Sequence, residues 1–297
     1  GLALLLATLG YRAFSGGAER EMKAVADEKS ASPRFSEPAA KTAANAARSG
    51  SPAPANRRAG AGVVEPPNEA RDWLAKGRKY EQAKQYILAI EAYTAAIGLD
   101  PKLYDAYFSR AGIYGLRLPQ AERDHAKAAA DYTTALEISP RDYSARFNRA
   151  GEYRQLREVD KALGDYTTII DGETDFSRQM EGRDKSLAMT REYRGEIFFE
   201  NKHDYQAAMA DFDEALRLDP KIEMVHYRRA LVHQALKHYD AAEADFSAAY
   251  DQNPDYPNLL ASWAWQLATA PDAKYRDGTA ALKFATRSNE KFGYHEA

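Results

Sequence analysis

Cysteine is absent from all 297 residues. That single absence removes disulfides, thiolate nucleophiles, cysteine-based zinc sites and a lipid-modified cysteine, and it leaves the redox compartment open. A dominant charge is lacking too: the formal net charge is −3 with a pI near 6.1. No global basic field therefore draws the chain to nucleic acid. The sequence has no Walker-type glycine loop, no G-x-S-x-G and no H-E-x-x-H. No pair of carboxylates stands out from the helical surface pattern as a glycosidase dyad would. No cofactor, metal ion or catalytic residue is expected.

Residues 1–10, GLALLLATLG, are apolar and uncharged. The run is too short to span a bilayer, which takes about 20 residues. It matches the core of a secretory signal or the tail end of a membrane anchor, so residues 1–17 are expected to be a signal or anchor remnant. A frayed apolar terminus of a cytosolic protein is the alternative. Residues 18–68 change character: Ala, Pro, Ser and Gly supply 28 of these 51 positions. Such a segment cannot bury enough surface to offset its ordering entropy and is expected to be a disordered linker. Residues 1–69 hold nine Lys/Arg against seven Asp/Glu, too balanced for a nucleic-acid tail.

From residue 69 on, the chain repeats itself. Tyr205/Tyr239, Ala208/Ala242, Asp211/Asp245, Phe212/Phe246, Ala215/Ala249 and Pro220/Pro254 each recur 34 residues apart. Earlier copies are Ala89, Tyr93, Ala96, Pro101; then Ala128, Asp131, Tyr132, Ala135, Pro140; then Ala162, Asp165, Tyr166. A period in this range means a stack of supersecondary units. A large residue, a small one and an aromatic at helical spacing precede each copy: Trp73, Gly77, Tyr80; Tyr107, Ala111, Tyr114; Phe147, Ala150, Tyr153; Tyr193, Gly195, Phe198; and His226 or Tyr227, Ala230, His233. The small residue is required where a second helix crosses too closely for a larger side chain. Proline then closes the second helix, except in repeat three, which runs on through Asp171-Gly172. Pro101, Pro140, Pro220 and Pro254 are therefore counted among the repeat anchors.

With these anchors the chain resembles the tetratricopeptide (TPR) repeat family over residues 66–297. The resemblance implies an all-α solenoid of about six helix-turn-helix repeats in a right-handed superhelix. Their expected spans are residues 70–103, 104–142, 143–175, 188–222, 223–256 and a degenerate cap at 257–293. In the cap, Trp263, Ala264 and Leu267 precede Ala280, Ala281, Phe284 and Ala285, with Lys283, Arg287, Glu290 and Lys291 for a polar outer face. Two insertions interrupt the period, one at Arg117–Asp124 and one at Glu173–Lys185.

Arg110, Arg149, Arg194 and Arg229 recur just before the small site, and Asp131, Asp165, Asp211 and Asp245 just before the second-helix aromatic. Each Arg is expected to pair with an Asp near the helix contact, fixing register; independent solvated charges are the competing reading. Repeat one has Lys76 and Ala92 there.

In this family the first helices line a concave groove that holds a peptide or partner helix. The resemblance puts Phe108, Phe147, Asn148, Tyr193, Tyr227, Arg228 and Trp265 there as candidate partner-binding residues, beside Arg78, Ser109, Arg154, Glu196 and Gln234. Aromatics with Arg suit a binding surface, although the same rings could pack between adjacent first helices. The family's clamp for chaperone tails is not expected, because Gly112 and Leu231 stand where polar groups are wanted. His226, His233 and His238 form the one histidine cluster and read as packing residues. The expected function is a non-enzymatic scaffold for a protein or peptide partner, exported or anchored on the periplasmic side of an inner membrane. An accessory subunit of an envelope enzyme or assembly complex, or an enzyme with an unrecognised site, are the alternatives. Partly exposed Trp263 and Trp265 would allow self-association through the cap.

Overall fold

The computed structural model describes residues 69–172 and 182–292. The expected signal remnant and linker, and residues 173–181 of the second insertion, lie outside the described residues. Among the described residues there are twelve α-helices and no strand. They are α1 (Glu69–Gln82), α2 (Tyr86–Leu99), α3 (Tyr104–Gly112), α4 (His125–Ile138), α5 (Tyr143–Gln155), α6 (Val159–Ile170), α7 (Arg183–Ile197), α8 (Tyr205–Leu218), α9 (Val225–Ala235), α10 (Tyr239–Gln252), α11 (Pro257–Thr269) and α12 (Gly278–Phe292). No described helix is long and apolar enough to cross a membrane. Each odd-numbered helix packs on the even one after it, and each even helix packs on the next odd one. This is the six-pair solenoid expected from the repeat.

One backbone hydrogen bond sets the register of every pair. The N–H of Gln85, Asp124, Glu158, Asp204, His238 and Asp277 donates to the carbonyl of Tyr80, Tyr114, Tyr153, Phe198, His233 and Leu267 respectively, at 2.8–3.0 Å. Those six carbonyls belong to the third anchor of each first helix. The donor residue then starts the second helix, and its own carbonyl accepts from Ala89, Ala128, Ala162, Ala208, Ala242 or Ala281 four residues on. In four pairs the turn between them uses a left-handed residue, Lys84, Arg157, His203 or Lys237, with φ of 53–62°. At Lys84, Arg157 and Lys237 this is the Schellman type of helix ending, while at His203 the N–H of both His203 and Asp204 returns to the Phe198 carbonyl.

The first insertion leaves this bond intact. The π turn Ile113–Arg117 keeps Ile113 and Gly115 buried, the short 3-10 turn Gln120–Glu122 is exposed, and Leu118 tucks into the core at 6% exposure. Asp124 still reaches Tyr114, and its side chain caps α4 by accepting from the Lys127 N–H. The longer turn of the cap closes in the same way through Asp277, which caps α12. Part of the second insertion becomes helix: α7 starts at Arg183, and Ser186 and Thr190 are buried beside Tyr143.

The core follows most of the anchors. Ala111, Ala150, Ala230 and Ala264 at the small sites are fully buried, as are the second-helix Ala89, Ala128, Ala162, Ala208 and Ala242. Tyr93, Tyr132, Tyr166, Phe212 and Phe246 are at most 1% exposed. Gly77 and Gly195 have no alternative: a Cβ at either would lie 2.5 Å from Tyr93 Cε1 or 2.8 Å from Phe212 Cε1. Trp73 departs from its counterparts. It is 37% exposed, with the Lys76 ammonium 4.3 Å from its ring, while neighbouring Leu74 is buried. Trp263, expected at the surface of the cap, is buried; it stacks on Phe284 with centroids 4.7 Å apart and donates to Glu243 Oε2. Without an open Trp263 face, the expected route to self-association through it is lost.

The prolines act as helix stops rather than as core contacts. Pro254 is exposed in the turn after α10, and Pro101, Pro140 and Pro220 are likewise exposed after α2, α4 and α8. None of the four packs in the core as the alanines and aromatics do. They recur because of their backbone instead. A proline ring disfavours helical geometry at the residue before it. Asp100, Ser139, Asp219 and Asn253 accordingly leave the helix with φ of −129 to −145° and ψ of 80 to 95°. Pro254 thus stops α10 and does not hold it against its neighbours.

Candidate partner-binding face

The first helices α3, α5, α7, α9 and α11 meet along seams of half-buried aromatics. Phe108 stacks on Tyr104 at 5.7 Å and meets Tyr132 edge-on. Phe147 stacks on Tyr143 and meets Tyr166 and Tyr193 edge-on at 5.8 and 5.7 Å. Tyr193 lies flat over Tyr166. Tyr227 meets Tyr256 edge-on at 5.4 Å, and its hydroxyl pairs with Ser262 Oγ of α11. Trp265 packs beside Ala264, Ala285 and Phe284. Asn148 lies beside the Tyr132 hydroxyl and offsets part of the rise that burial imposes on its pKa. These rings pack the seams between repeats, so any partner would meet only the parts that packing leaves accessible.

The recurring Arg and Asp form bidentate pairs inside each repeat. Arg110 grips Asp131, Arg149 grips Asp165, Arg194 grips Asp211 and Arg229 grips Asp245, with two bonds each at 2.7–2.8 Å. The four aspartates are 1–7% exposed, which rules out independent solvated charges. Each guanidinium also reaches back one repeat through Nη1, to Thr94, Thr133, Thr167 or Asp213. One Arg thus ties its own two helices to the previous second helix. A second partner, Arg146, Arg191 or His226, joins the same Asp from four residues before the small site. Burial works against the charge of Asp245, yet Arg229 and His226 hold its carboxyl below the usual range. The sequence held the signal for this second partner, because Arg146, Arg191 and His226 share a register.

A separate network runs across three first helices. Arg154 of α5 donates to Glu196 Oε2 of α7 at 2.5 Å. Arg228 of α9 donates to Glu196 Oε1 at 2.9 Å and also to Glu192. The Tyr193 ring lies between the two guanidiniums, 4.8 Å from Arg154 and 5.9 Å from Arg228. Glu200 follows one turn later, in the π turn Phe198–Lys202. Spacing of four along the helix puts Glu192, Glu196 and Glu200 on one face. Glu192 occupies the register that Phe108, Phe147 and Tyr227 occupy elsewhere, which explains why it is only 8% exposed. Burial raises its carboxyl to about 7 against the pull of Arg228, with Glu196 adding to the rise. Glu200 is open to solvent, yet enough protein surrounds it to push its carboxyl up as well. Arg154, Glu196 and Arg228 were expected on this face; Glu192 and Glu200 were not.

Comparison with known proteins agrees with this geometry. Family models described as tetratricopeptide repeat match residues 71–103, 120–173 and 192–257. The chain belongs to the TPR family. Among solved structures, a TPR protein from Parabacteroides merdae superposes with a TM-score of 0.58 at 20% identity, covering 77% of this chain and 81% of that one. Pseudomonas aeruginosa pilF gives 0.58 at 17% identity, covering 77% and 94%. YrrB, described as a TPR protein with an unusual peptide-binding site, gives 0.52 at 14%, covering 67% and 94%. At these identities the likeness is one of fold. No curated protein matches the chain.

In the TPR array two of the clustered histidines turn to one aspartate. His226 Nδ1 lies 2.9 Å from Asp245 Oδ1 and His233 Nε2 3.8 Å from its Oδ2. Among the described residues no cluster has the makings of a metal site. Glu152 was not foreseen. It stands at a register filled by Ile113, Ile197 and Val232 in other repeats, is 3% exposed, and pairs with His125 Nδ1 at 2.6 Å. It fits only because Gly115 faces it: a Cβ there would lie 2.1 Å from Glu152 Oε1. Glu192 is clasped by Arg228 in the same structural manner. A shifted carboxyl in an ion-pair network is what burial and pairing produce without catalysis.

Proposed function

We propose that the array is a non-enzymatic interaction scaffold that holds a peptide or partner protein along its first helices. The carrying observation is the continuous face of α3, α5, α7 and α9. There half-buried aromatics alternate with Asn148, Arg154, Glu196 and Arg228, the mixture that interfaces favour. A TPR structure with a peptide-binding site fits this reading, as does a type IV pilus biogenesis factor, PilW, of the same fold. An accessory subunit of a larger assembly would use the same face. The proposal extends to location: the extracytoplasmic side of an inner membrane, supported by the uncharged apolar run at residues 1–10 and the spacer-like composition of residues 18–68.

Site-specific photo-crosslinking tests the interaction reading. Probes at Ser109, Asn148 and Gln234 on first helices should trap one partner, while probes at Thr134 and Lys161 on second helices should not. Trapping only from the second helices would overturn it. For location, an alkaline-phosphatase fusion after residue 292 should be active; an inactive, cytoplasmic fusion would remove that part.

A further inference from the structure

The outer face of α1 differs from every later first helix. In the later repeats the cation before the small site has two partners: the Asp of its own second helix, and a Thr or Asp of the second helix before it. Lys76 holds that position in the first pair and has neither. Ala92 stands where the Asp would be, and no described helix precedes α1. The Lys76 ammonium sits over the rings of Trp73 and Tyr80 at 4.3 and 5.8 Å, and among the described residues no carboxylate or hydroxyl pairs with it. Trp73 itself is 37% exposed, whereas Tyr107, Arg146, Arg191 and His226 in the same register are all half-buried. Aromatic surface and a cation without an anion thus face outward together, where the other repeats receive a neighbour.

The chain outside the described residues enters the array at this end, and its last stretch carries the matching chemistry. Residues 63–67 read Val-Val-Glu-Pro-Pro. The large apolar side chains of residues 18–68 are Met22, Val25, Phe35, Val63 and Val64, so the one adjacent pair adjoins α1. Glu65 is the one charged residue between Arg58 and Glu69. It stands four residues before Glu69, a reach of up to about 14 Å, and Lys76 lies about 10 Å into the helix. Val64 has one residue more of reach, and Trp73 lies only about 6 Å in. Pro66 and Pro67 have no N–H to leave unpaired, and their fixed φ lowers the entropy lost on ordering. We propose that residues 63–67 fold back on the outer face of α1, with Val63 and Val64 over Trp73 and Glu65 paired to Lys76. The segment takes the place that a preceding second helix takes in the later repeats. It closes the first end of the stack as α11 and α12 close the last. This does not depend on what the first-helix face binds.

The test is methyl NMR on the full chain with labelled valine, which occurs elsewhere only at positions 25, 159, 225 and 232. The Val63 and Val64 methyls should show nuclear Overhauser contacts to the Trp73 indole and ring-current shifts away from random-coil positions, both unchanged on dilution. Val64→Ser should raise the ratio of undocked to docked segment by about tenfold, read at Val63. Glu65→Gln should raise it by about two- to fivefold. Both changes lie outside the described helices, so unmoved signals from Val159, Val225 and Val232 report an intact fold. Lys76→Gln should match Glu65→Gln, and the double variant should be no worse than either, as a pair requires. Random-coil Val63 and Val64 methyls in the unaltered chain would overturn the inference. So would a Glu65→Gln variant with unchanged shifts. Contacts that vanish on dilution would overturn it in favour of a second copy of the chain at this face.

Discussion

The N-terminal pair α1/α2 and the central pairs share their apolar anchors but differ in how they are tied to neighbours. Gly77 receives Tyr93 just as Gly195 receives Phe212. In the central pairs a buried Asp collects one or two cations, and one of them reaches back to the preceding repeat. In the first pair Lys76 lies over Trp73 and Tyr80, Ala92 is buried in place of the Asp, and Ile87 and Leu88 are exposed on α2. Apolar burial is thus sufficient to pair two helices. The charged clamp also reaches the joint between repeats, and among the described residues no repeat precedes the first pair. In a linear stack each unit's stability depends on its neighbours alone, so this difference should be measurable.

The largest effect should come from breaking a clamp by half. Asp211→Ala leaves Arg194 and Arg191 without their buried carboxylate and should lower stability by about 3–5 kcal/mol in urea denaturation. Installing the first-pair solution in repeat two, Arg110→Lys with Asp131→Ala, should cost less than Asp131→Ala alone, because no forked guanidinium is left unpaired. Equal losses would mean that the clamp is not what distinguishes the pairs. Next in size is the close helix crossing. Gly195→Ala pushes a methyl into Phe212 and should cost about 2 kcal/mol across the whole array. Gly77→Ala makes the same clash at a terminus, and hydrogen exchange should show protection lost only in α1 and α2.

Glu192 gives the central pairs a pH dependence that the first pair has no group to supply. Its carboxyl titrates near 7 in the folded chain against 4.5 as the ordinary value. The folded state therefore holds an extra proton between these limits, and its stability contribution is lost as pH rises through them. Glu192→Gln should flatten that fall, which amounts to at most about 1.4 kcal/mol per pH unit. A pH profile unchanged by the substitution would show that Glu192 stays ionised. The smallest effect tests the reach between repeats. Asp213 stands at the position of Thr94, Thr133 and Thr167 and accepts from Arg229 at 2.7 Å. Thr133→Asp should do the same with Arg149 and add about 0.5 kcal/mol, seen as a small rise in Tm.

The repeat anchors were legible because each is dictated by one local constraint that recurs at a fixed interval: a small residue where helices cross, an aromatic that fills the gap, a proline after the helix ends. Pro254 and its counterparts recur as faithfully as the packed anchors, since a chain stop repeats at the same interval as a contact. The Arg–Asp pairs were legible for the same reason as the packed anchors. Glu152 and Glu192 were not, since each stands where other repeats carry a different residue type, and averaging over repeats hides it. Glu152 also depends on Gly115 and His125, which come from the interrupted second repeat.

The sequence by itself determined the class of fold, the number of helix pairs and the partners of the recurring charges, because periodic burial and helical spacing leave few ways to stack such units. Only the tertiary structure decided which side chains share a face across repeats. Arg154, Glu196, Arg228 and Glu200 lie as much as 74 residues apart along the chain. Their meeting depends on the angle and offset between successive first helices, quantities set jointly by every seam rather than by any one residue.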